Sequence, residues 1–428
     1  MYNSRLAING GEKAVKTKMP HFVWPPSPDK GELNDLVNQR KSDISIKGRT
    51  GPIKEFEDRF LEFLDHKLRY AITFNSGTSA LLAAYFSLFI QEDDEVIVPV
   101  STFHAAVSPL MILRGVPVFV DVDYQTRCIN PILIENVITK RTKAILLVHQ
   151  WGHPCDMDKI MPLAKKYNLK VIEDCSHAHG STYKGKMVGT FGDVSIFSLQ
   201  AAKMLFAGEG GILVTNNEEI HDRATLLGHY RDRSNEEIKN SFYHQFWVTG
   251  YGLKLRMSSY NAVTAIHSLK MMGKRIKSRN KCLHYFNQRL AEFSEIEPHY
   301  VDKKVTMGAW YGFKPLYKSD SLRGLPREEY VRALNAEGVD IHTPSAPPLI
   351  TLPLYFLKNN KMFRKGNSRV KYNPSDFPVA SALFHLGLSL PTFTDWDKSK
   401  MIIDQYVEAF RKVHDHYSIK YSLKNHVK

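Results

Sequence analysis

The chain has 428 residues, enough for two domains, and its 43% hydrophobic and 24% charged residues are globular proportions, which argues against a disordered chain. Lys and Arg outnumber Asp and Glu by 58 to 44, and the resulting formal net charge of +14 admits a nucleic-acid partner, an anionic substrate or a lysine-rich background. Four scattered cysteines, Cys128, Cys155, Cys175 and Cys282, lack C-x-x-C spacing, which argues against a zinc site or a disulfide framework and predicts free thiols.

The first residues, "MYNSRLAINGGEKAVK", contain no apolar signal-like core, and the longest apolar run, "ALLAAYFSLFI" at 80–90, is too short to span a bilayer. A soluble cytoplasmic protein without a membrane partner is expected. In "FNSGTSALLAAYFSLF", Gly77 and Thr78 open a helix that Ser76 or Asn75 can cap. Exposed amides, a hydroxyl and the positive helix end together suit a phosphate, although many capped helices begin this way.

β-Rich runs then recur: "EVIVPV" (95–100), "VPVFVDV" (116–122), "AILLVHQ" (144–150), "KVIEDCS" (170–176), "VSIFSL" (194–199) and "GILVTN" (211–216). Most are continuously apolar, as strands covered on both faces are. Between them, "PILIENVITKRT" and "DMDKIMPLAKKYNLK" have helical spacing with basic C-terminal ends. The alternation predicts an α/β fold with a mostly parallel central sheet covered by helices.

"HQWGHPCDMD" holds His149, His153, Cys155 and Asp156, a tempting metal set, but their spacing matches no zinc pattern. "VIEDCSHAHG" puts Asp174 at the C-terminal end of an apolar strand, where ligands of open parallel sheets bind. His177 and His179 would point to opposite sides if that strand continued, which argues against paired ligation, and Cys175 reads as a small buried residue.

In "SIFSLQAAKMLFAGEGGILVT", Lys203 stands among small and apolar residues, after Ser198 and before the glycine run 208–211. Its amine either reaches solvent along its stem or is kept neutral in a pocket as a nucleophile. The glycines let backbone pass close to a bulky group. One ligand suits the phosphate cradle, the carboxylate and the amine together: pyridoxal 5'-phosphate (PLP), held through an imine to the lysine.

Beyond about Met257 the pattern changes to a long helix, "SSYNAVTAIHSLKMMGKRIKSRNKCLHYFNQRLAEF", then short strands such as "AWYGFKPLY" and helices such as "REEYVRALNAEG". Residues 1–257 are read as an N-terminal segment with a large PLP-binding domain, and 258–428 as a linking helix with a small α+β domain. The basic patch "KMMGKRIKSRNK" reads as a solvated helix face, with no base-reading motif and no nucleic-acid partner.

From "LAINGG" and "GPIKEFEDRFLEFL" to "LSLPTF", the chain resembles the DegT and StrS type sugar aminotransferases, whose fold is the PLP-dependent transferase fold type I. Their "SGT", "EDxAxAxG" and "FSxxxxK...GEGG" motifs stand here as "SGT", "EDCSHAHG" and "FSLQAAKMLFAGEGG". The resemblance implies that Lys203 binds the cofactor aldehyde, that Asp174 pairs with the pyridinium nitrogen, and that Ser198, Gly77 and Thr78 hold the phosphate. It puts Phe103 on the cofactor face and His177 beside the phenolic oxygen, although a buried core histidine is the plainer reading of the latter.

"GYGLKLRMSSYNA" resembles the "GxNxRM" loop by which a neighbouring subunit touches the phosphate, with Lys254 at the asparagine position. Lys254 either meets the phosphate or points to solvent; a homodimer with shared sites is implied. Lysine at position 203 argues against the branch that performs deoxygenation, which carries histidine there.

The implied reaction is transamination from L-glutamine or L-glutamate. The chain looks most like the branch containing glutamine:scyllo-inosose aminotransferases and 3-amino-5-hydroxybenzoate synthase, which implies a keto-cyclitol or ketosugar acceptor. A nucleotide-linked ketosugar is the alternative; "PLITLPLY", with Ile350 where such members often carry histidine, departs from it, and the positive charge favours it. A PLP-binding sensor without turnover is a further class, opposed by intact Lys203, Asp174 and Ser198.

Overall fold

The computed structural model describes residues 5–17, 24–356 and 372–424. Its strands in chain order are β1 (Tyr70–Phe74), β2 (Glu95–Pro99), β3 (Val116–Val120), β4 (Thr142–Val148), β5 (Lys170–Asp174), β6 (Thr182–Tyr183), β7 (Lys186–Met187), β8 (Val194–Ser198) and β9 (Gly211–Thr215). A seven-stranded sheet has the order β1-β9-β8-β5-β4-β2-β3. The pairs among β8, β5, β4, β2 and β3 are parallel, whereas β9 is antiparallel to both β8 and β1.

Six of the seven strands therefore run the same way, and their C-terminal ends share one edge. The predicted α/β class and mostly parallel sheet are found. β1, "YAITF", is a central-sheet strand that the reading by apolar runs did not identify; it follows a helix and a charged turn and is only five residues long.

Successive side chains of β4 enter different cores. Ala144, Leu146 and Val148 pack on one face, and Ile145 and Leu147 on the other. This alternation under a continuously apolar sequence is the pattern of a sheet covered on both sides.

The expected long helix after Met257 is two helices, Ser259–Lys270 and Met272–Leu290, joined at Met271. The first packs with the large-sheet side through Ala262, Ala265 and Ile266, the second with the C-terminal core through Cys282, Leu283 and Phe286. The break lets one continuous amphipathic sequence serve two cores. Leu6 and Val15, near the start of the chain, also pack in the C-terminal core, where Glu337 accepts from the amides of Ala7 and Ala14 at 2.7 and 3.0 Å.

The basic face of the second helix is not wholly solvated. Arg279 is buried, donates to the Ala309 carbonyl at 2.9 Å and lies over the Trp24 ring. In "AWYGFKPLY" only Leu316–Tyr317 is strand, and "PILIENVITKRT" yields one α-helical turn, Pro131–Ile134, followed by a 3-10 turn. All four cysteines are buried free thiols. Among the described residues no helix is long and apolar enough to cross a membrane.

Candidate active site

Because β1, β2, β3, β4, β5 and β8 share a direction, the segments following each of them emerge along one sheet edge, the edge where open α/β sheets bind ligands. Ser76 caps the helix Gly77–Ser87 by accepting from the Ser79 amide at 3.0 Å, which leaves the first amides of the helix facing out. A Cβ on Gly77 would stand 2.7 Å from Ser198 Cβ, so glycine alone permits this approach of helix start to strand end. The Ser198 side chain is thereby held against the positive helix terminus, the arrangement a phosphate needs. Gly211 meets the Ser76 carbonyl just as closely, which joins β9 to the same cradle.

Asp174 ends β5 and is 6% exposed, and its Oδ1 accepts from the Ser176 amide at 3.0 Å. Burial pushes its carboxyl up; the Ser176 bonds and the Lys203 and His149 charges oppose the rise without cancelling it. A protonated ring nitrogen placed opposite would favour the carboxylate.

Lys203 lies in the turn after β8, and its amide donates to the Gln200 carbonyl at 2.8 Å. The turn closes on itself, with Ala201 N donating to the Gly208 carbonyl, and Gly208 adopts φ 84°, which favours glycine. The Lys203 amine is buried and sits 4.0 Å from the centroid of the Tyr311 ring. Desolvation lowers its pKa to about 8, against the attraction of Asp174. An amine with that value has a substantial neutral fraction near neutral pH, which both nucleophilic attack and proton transfer require.

β5 ends at Asp174, so His177 does not continue a strand and the alternation argument for His177 and His179 loses its premise. The two rings still diverge. His177 stacks on Tyr311 at 4.2 Å and on Trp151 at 5.3 Å, whereas His179 tilts against Phe197. Burial, with Lys203 close by, drives the His177 pKa well below its usual value, which leaves a neutral imidazole. Its Nδ1 is buried and has no hydrogen-bond partner among the described residues, so a polar atom of a bound cofactor would satisfy it. The glycine-tight cradle, the buried carboxylate, the desolvated amine and this unpartnered nitrogen together fit PLP.

Phe103 is on the same edge, in the turn after β2, but is 60% exposed and packs on His104. Lys254 is exposed; its loop runs beside its own chain's cradle, where the Leu255 carbonyl accepts from Asn75 N at 2.7 Å. The structure thus gathers Gly77, Asp174, His177, Ser198 and Lys203 and leaves Phe103 and Lys254 open at the surface, with Thr78 exposed on the helix start.

Two aromatic residues of the wall were not identified from sequence as site residues. In the sequence Trp151 is one residue of a loop with metal-like composition, and Tyr311 one residue of a short predicted strand. Trp151 has φ 56°, in the left-handed region, and Gly312 leaves it room: a Cβ there would come within 2.3 Å of the indole. Neither signal is legible without the fold.

The metal-like set does not assemble. His149, Glu173 and Cys175 come together instead, and the Glu173 oxygens and both His149 nitrogens are already engaged. Glu173 accepts from His149 Nε2, the amides of Gly189, Phe191 and Gly192, and Ser195 Oγ, while His149 Nδ1 accepts from Cys155 N. That carboxylate stitches loops to the sheet.

The model described as the DegT/DnrJ/EryC1/StrS aminotransferase family matches residues 27–407. The chain is 33% identical over 380 residues to GDP-perosamine synthase of Escherichia coli O157:H7, covering 89% of this chain and 95% of that one. It is 29% identical over 424 residues to L-glutamine:scyllo-inosose aminotransferase of Streptomyces griseus, covering 96% and 98%. Among solved structures, an aminotransferase from Psychrobacter cryohalolentis matches with a TM-score of 0.80 at 29% identity, covering 93% of this chain and 100% of that one.

Proposed function

The chain belongs to the DegT/DnrJ/EryC1/StrS aminotransferase family and is a PLP-dependent enzyme; from that premise we propose the following division of labour and substrate class. The enzyme moves an amino group from L-glutamine or L-glutamate to a keto-cyclitol or ketosugar in amino-sugar or aminocyclitol biosynthesis. It works in the cytoplasm as a homodimer.

The observation that carries this reading is the Lys203 amine, buried, lowered to about 8, and set on the sheet edge with Asp174 and the Gly77–Ser198 cradle. Ser198 and the amides of Gly77 and Thr78 hold the phosphate, with Phe103 covering the ring. Asp174 keeps the proton on the pyridine nitrogen, and His177 orients the phenolic oxygen. When bound, the cofactor supplies an electron sink for the donor's Cα–H bond.

Lys203, once its amine is free, would take the donor's Cα proton and return it two bonds away, to the carbon that its amine had held. The same neutral amine returns a proton in the opposite direction when the acceptor is aminated. Its burial beneath Tyr311 limits protonation by bulk water.

Lys254 reaches the phosphate of the neighbouring subunit. Supporting this is the apolar surface just before it, where Phe242, Phe246, Val248, Tyr251 and Leu253 are exposed. Such a contiguous stretch suits burial against a second copy.

A nucleotide-linked ketosugar is the second reading of the acceptor. The net charge of +14 and the likeness to GDP-perosamine synthase favour it. Ile350 is 2% exposed and packed in the sheet-side core, so this position offers a substrate no polar group.

The test is the visible spectrum of the PLP-loaded protein before and after L-glutamine or L-glutamate, beside Lys203→Ala. Loss of the cofactor band in wild type alone supports the reading, and screening of inososes and nucleotide-linked ketosugars then names the acceptor. A band unmoved by either donor would sink it.

A further inference from the structure

The aromatic wall has a second amine on its far side. Lys314 Nζ lies 4.6 Å from the Trp151 ring centroid and donates to Ser389 Oγ at 2.5 Å. Its stem packs where a Cβ on Gly312 would stand 3.1 Å from Lys314 Cε, so the backbone is shaped around both the indole and this lysine. Among the described residues no carboxylate forms an ion pair with Lys314.

Arg127 approaches the same place from the loop after β3. It is 8% exposed, adopts φ 61°, and is held by its amide donating to the Asp123 carbonyl at 2.8 Å. Its Nε and Nη1 are buried and have no hydrogen-bond partner among the described residues. Glu297, whose charge attracts Arg127, is engaged by Lys318 at 3.1 Å and by the Tyr124 hydroxyl at 3.3 Å.

Three segments enclose the two cations. Cys128, next to Arg127, donates from Sγ to the His153 carbonyl, which ties this loop to the Trp151 loop. Lys314 N donates to His299 Nδ1 at 3.0 Å, and Glu297 pairs with Leu316, which ties the Glu297–His299 segment to the one that runs from Tyr311 to Leu316. Burial lowers Lys314 to about 8, with the Arg127 charge contributing, and lowers Arg127 to about 10 against the attraction of Glu297 and Tyr124. His299 is pushed well below its usual value by burial and by Arg127, His153 and Lys314, so it adds no charge.

Arg127 is buried and Lys314 partly so, and two such cations without an ion-pair partner among the described residues are costly in a folded protein unless an anion joins them. We propose that Arg127 and Lys314 form an oxyanion-binding subsite against the Trp151–His177–Tyr311 wall, which takes a carboxylate or phosphate group of a substrate. Arg127 supplies a planar fork and Lys314 a point charge, the two donor types that bind such groups. This deepens the proposed function and rests on it, because the anion belongs to a substrate of the same site. The two sources are the amino donor's carboxylate and a phosphate carried by the acceptor.

The experiment uses the full chain, with and without PLP, as wild type, Arg127→Gln, Lys314→Met and Lys314→Arg. In the loaded protein, the donor concentration that removes half of the cofactor band is read for L-glutamate and L-glutamine. In the cofactor-free protein, the thermal midpoint is read with glutarate and with pyrophosphate.

A rise of at least tenfold in half-saturating donor, with loss of the glutarate shift, assigns the subsite to the donor carboxylate. An unchanged donor titration with loss of the pyrophosphate shift assigns it to an acceptor phosphate. Lys314→Arg, which keeps the charge, should retain most of either effect. The proposal is overturned if both neutral variants keep the wild-type donor titration and anion shifts, or if wild type shows no anion shift and its donor titration is unmoved by substitution.

Should Arg127→Gln fail to fold, Lys314→Met, at the less buried of the two positions, decides alone. If wild type ignores both donors, the transamination reading fails, while the anion shifts still decide the subsite.

Discussion

The Lys203 amine and the Tyr311 ring face each other at 4.0 Å, although one follows a strand of the large sheet and the other comes from the segment that leads into the C-terminal strands. The ring covers the amine from one side while Asp174 attracts it, and burial outweighs that attraction. The contact therefore links the two parts of the chain at the atom on which the reaction depends.

Tyr311→Ala opens that side to water, so the Lys203 pKa should move from about 8 toward 10.5. The rate at which the cofactor-free protein captures PLP should then level off at higher pH than in wild type. Stopped-flow absorbance from pH 6.5 to 10.5 reads this, and identical profiles for the two proteins would contradict it.

Lys203→Met should stabilise the cofactor-free protein near pH 7. A lysine lowered to about 8 in the folded chain costs stability below that pH, because the unfolded chain holds the proton more readily. At about 1.4 kcal/mol per pKa unit the gain is about 3 kcal/mol at most. It is full below pH 8 and fades as pH rises toward 10.5, where both states of wild type are neutral. Denaturant unfolding at pH 7 and pH 10 should show the difference shrinking.

Gly77→Ala forces a methyl to within 2.7 Å of Ser198 Cβ, so the helix start must back away from the strand end. A cost of about 1–3 kcal/mol in stability is expected from such overpacking. PLP retention after dialysis should fall more than thermal stability suggests, because the phosphate cradle is what moves. Equal retention in the variant would argue against this cradle.

Glu57 is fully buried and receives Arg233 through both guanidinium ends at 2.8 and 3.0 Å, together with Arg49 and the Thr73 amide and hydroxyl. Arg233→Ala leaves that carboxylate short of its charge partner and should cost about 3–5 kcal/mol. Thr73 belongs to β1, so β1 amides should lose hydrogen-exchange protection first. Uniform loss across the sheet would show that the network does not anchor this strand specifically.

Zinc should leave the thermal midpoint unchanged despite the proximity of His149, Glu173 and Cys175. Glu173 oxygens and both His149 nitrogens already have partners in the protein. Glu173→Ala, by contrast, strips acceptors from the amides of three loop residues and should destabilise the fold strongly. A zinc-induced rise in midpoint would overturn the first expectation.

Much of this protein is readable in one dimension because its determinants are local. Runs such as "AILLVHQ" are apolar at every position because both sheet faces are covered, and "NSGTS" carries its own cap and helix start. Asp174 and Ser198 end strands, Gly77 and Lys203 stand in the segments after them, and a parallel sheet brings strand ends to one edge whatever the strand order. Those positions, and the ligand they suit, were legible before any coordinate.

Tertiary structure decided what lies between them. The antiparallel insertion of β9, the break at Met271 and the departure of His177 from its strand each depend on which surfaces meet, and no local pattern encodes that. The wall of Trp151, His177 and Tyr311, and the cations Arg127 and Lys314 beyond it, come from segments far apart in sequence. Their proximity, and the lowered pKa of Lys203 and Lys314, arise from desolvation, which is a property of the closed packing around a side chain and not of its neighbours along the chain.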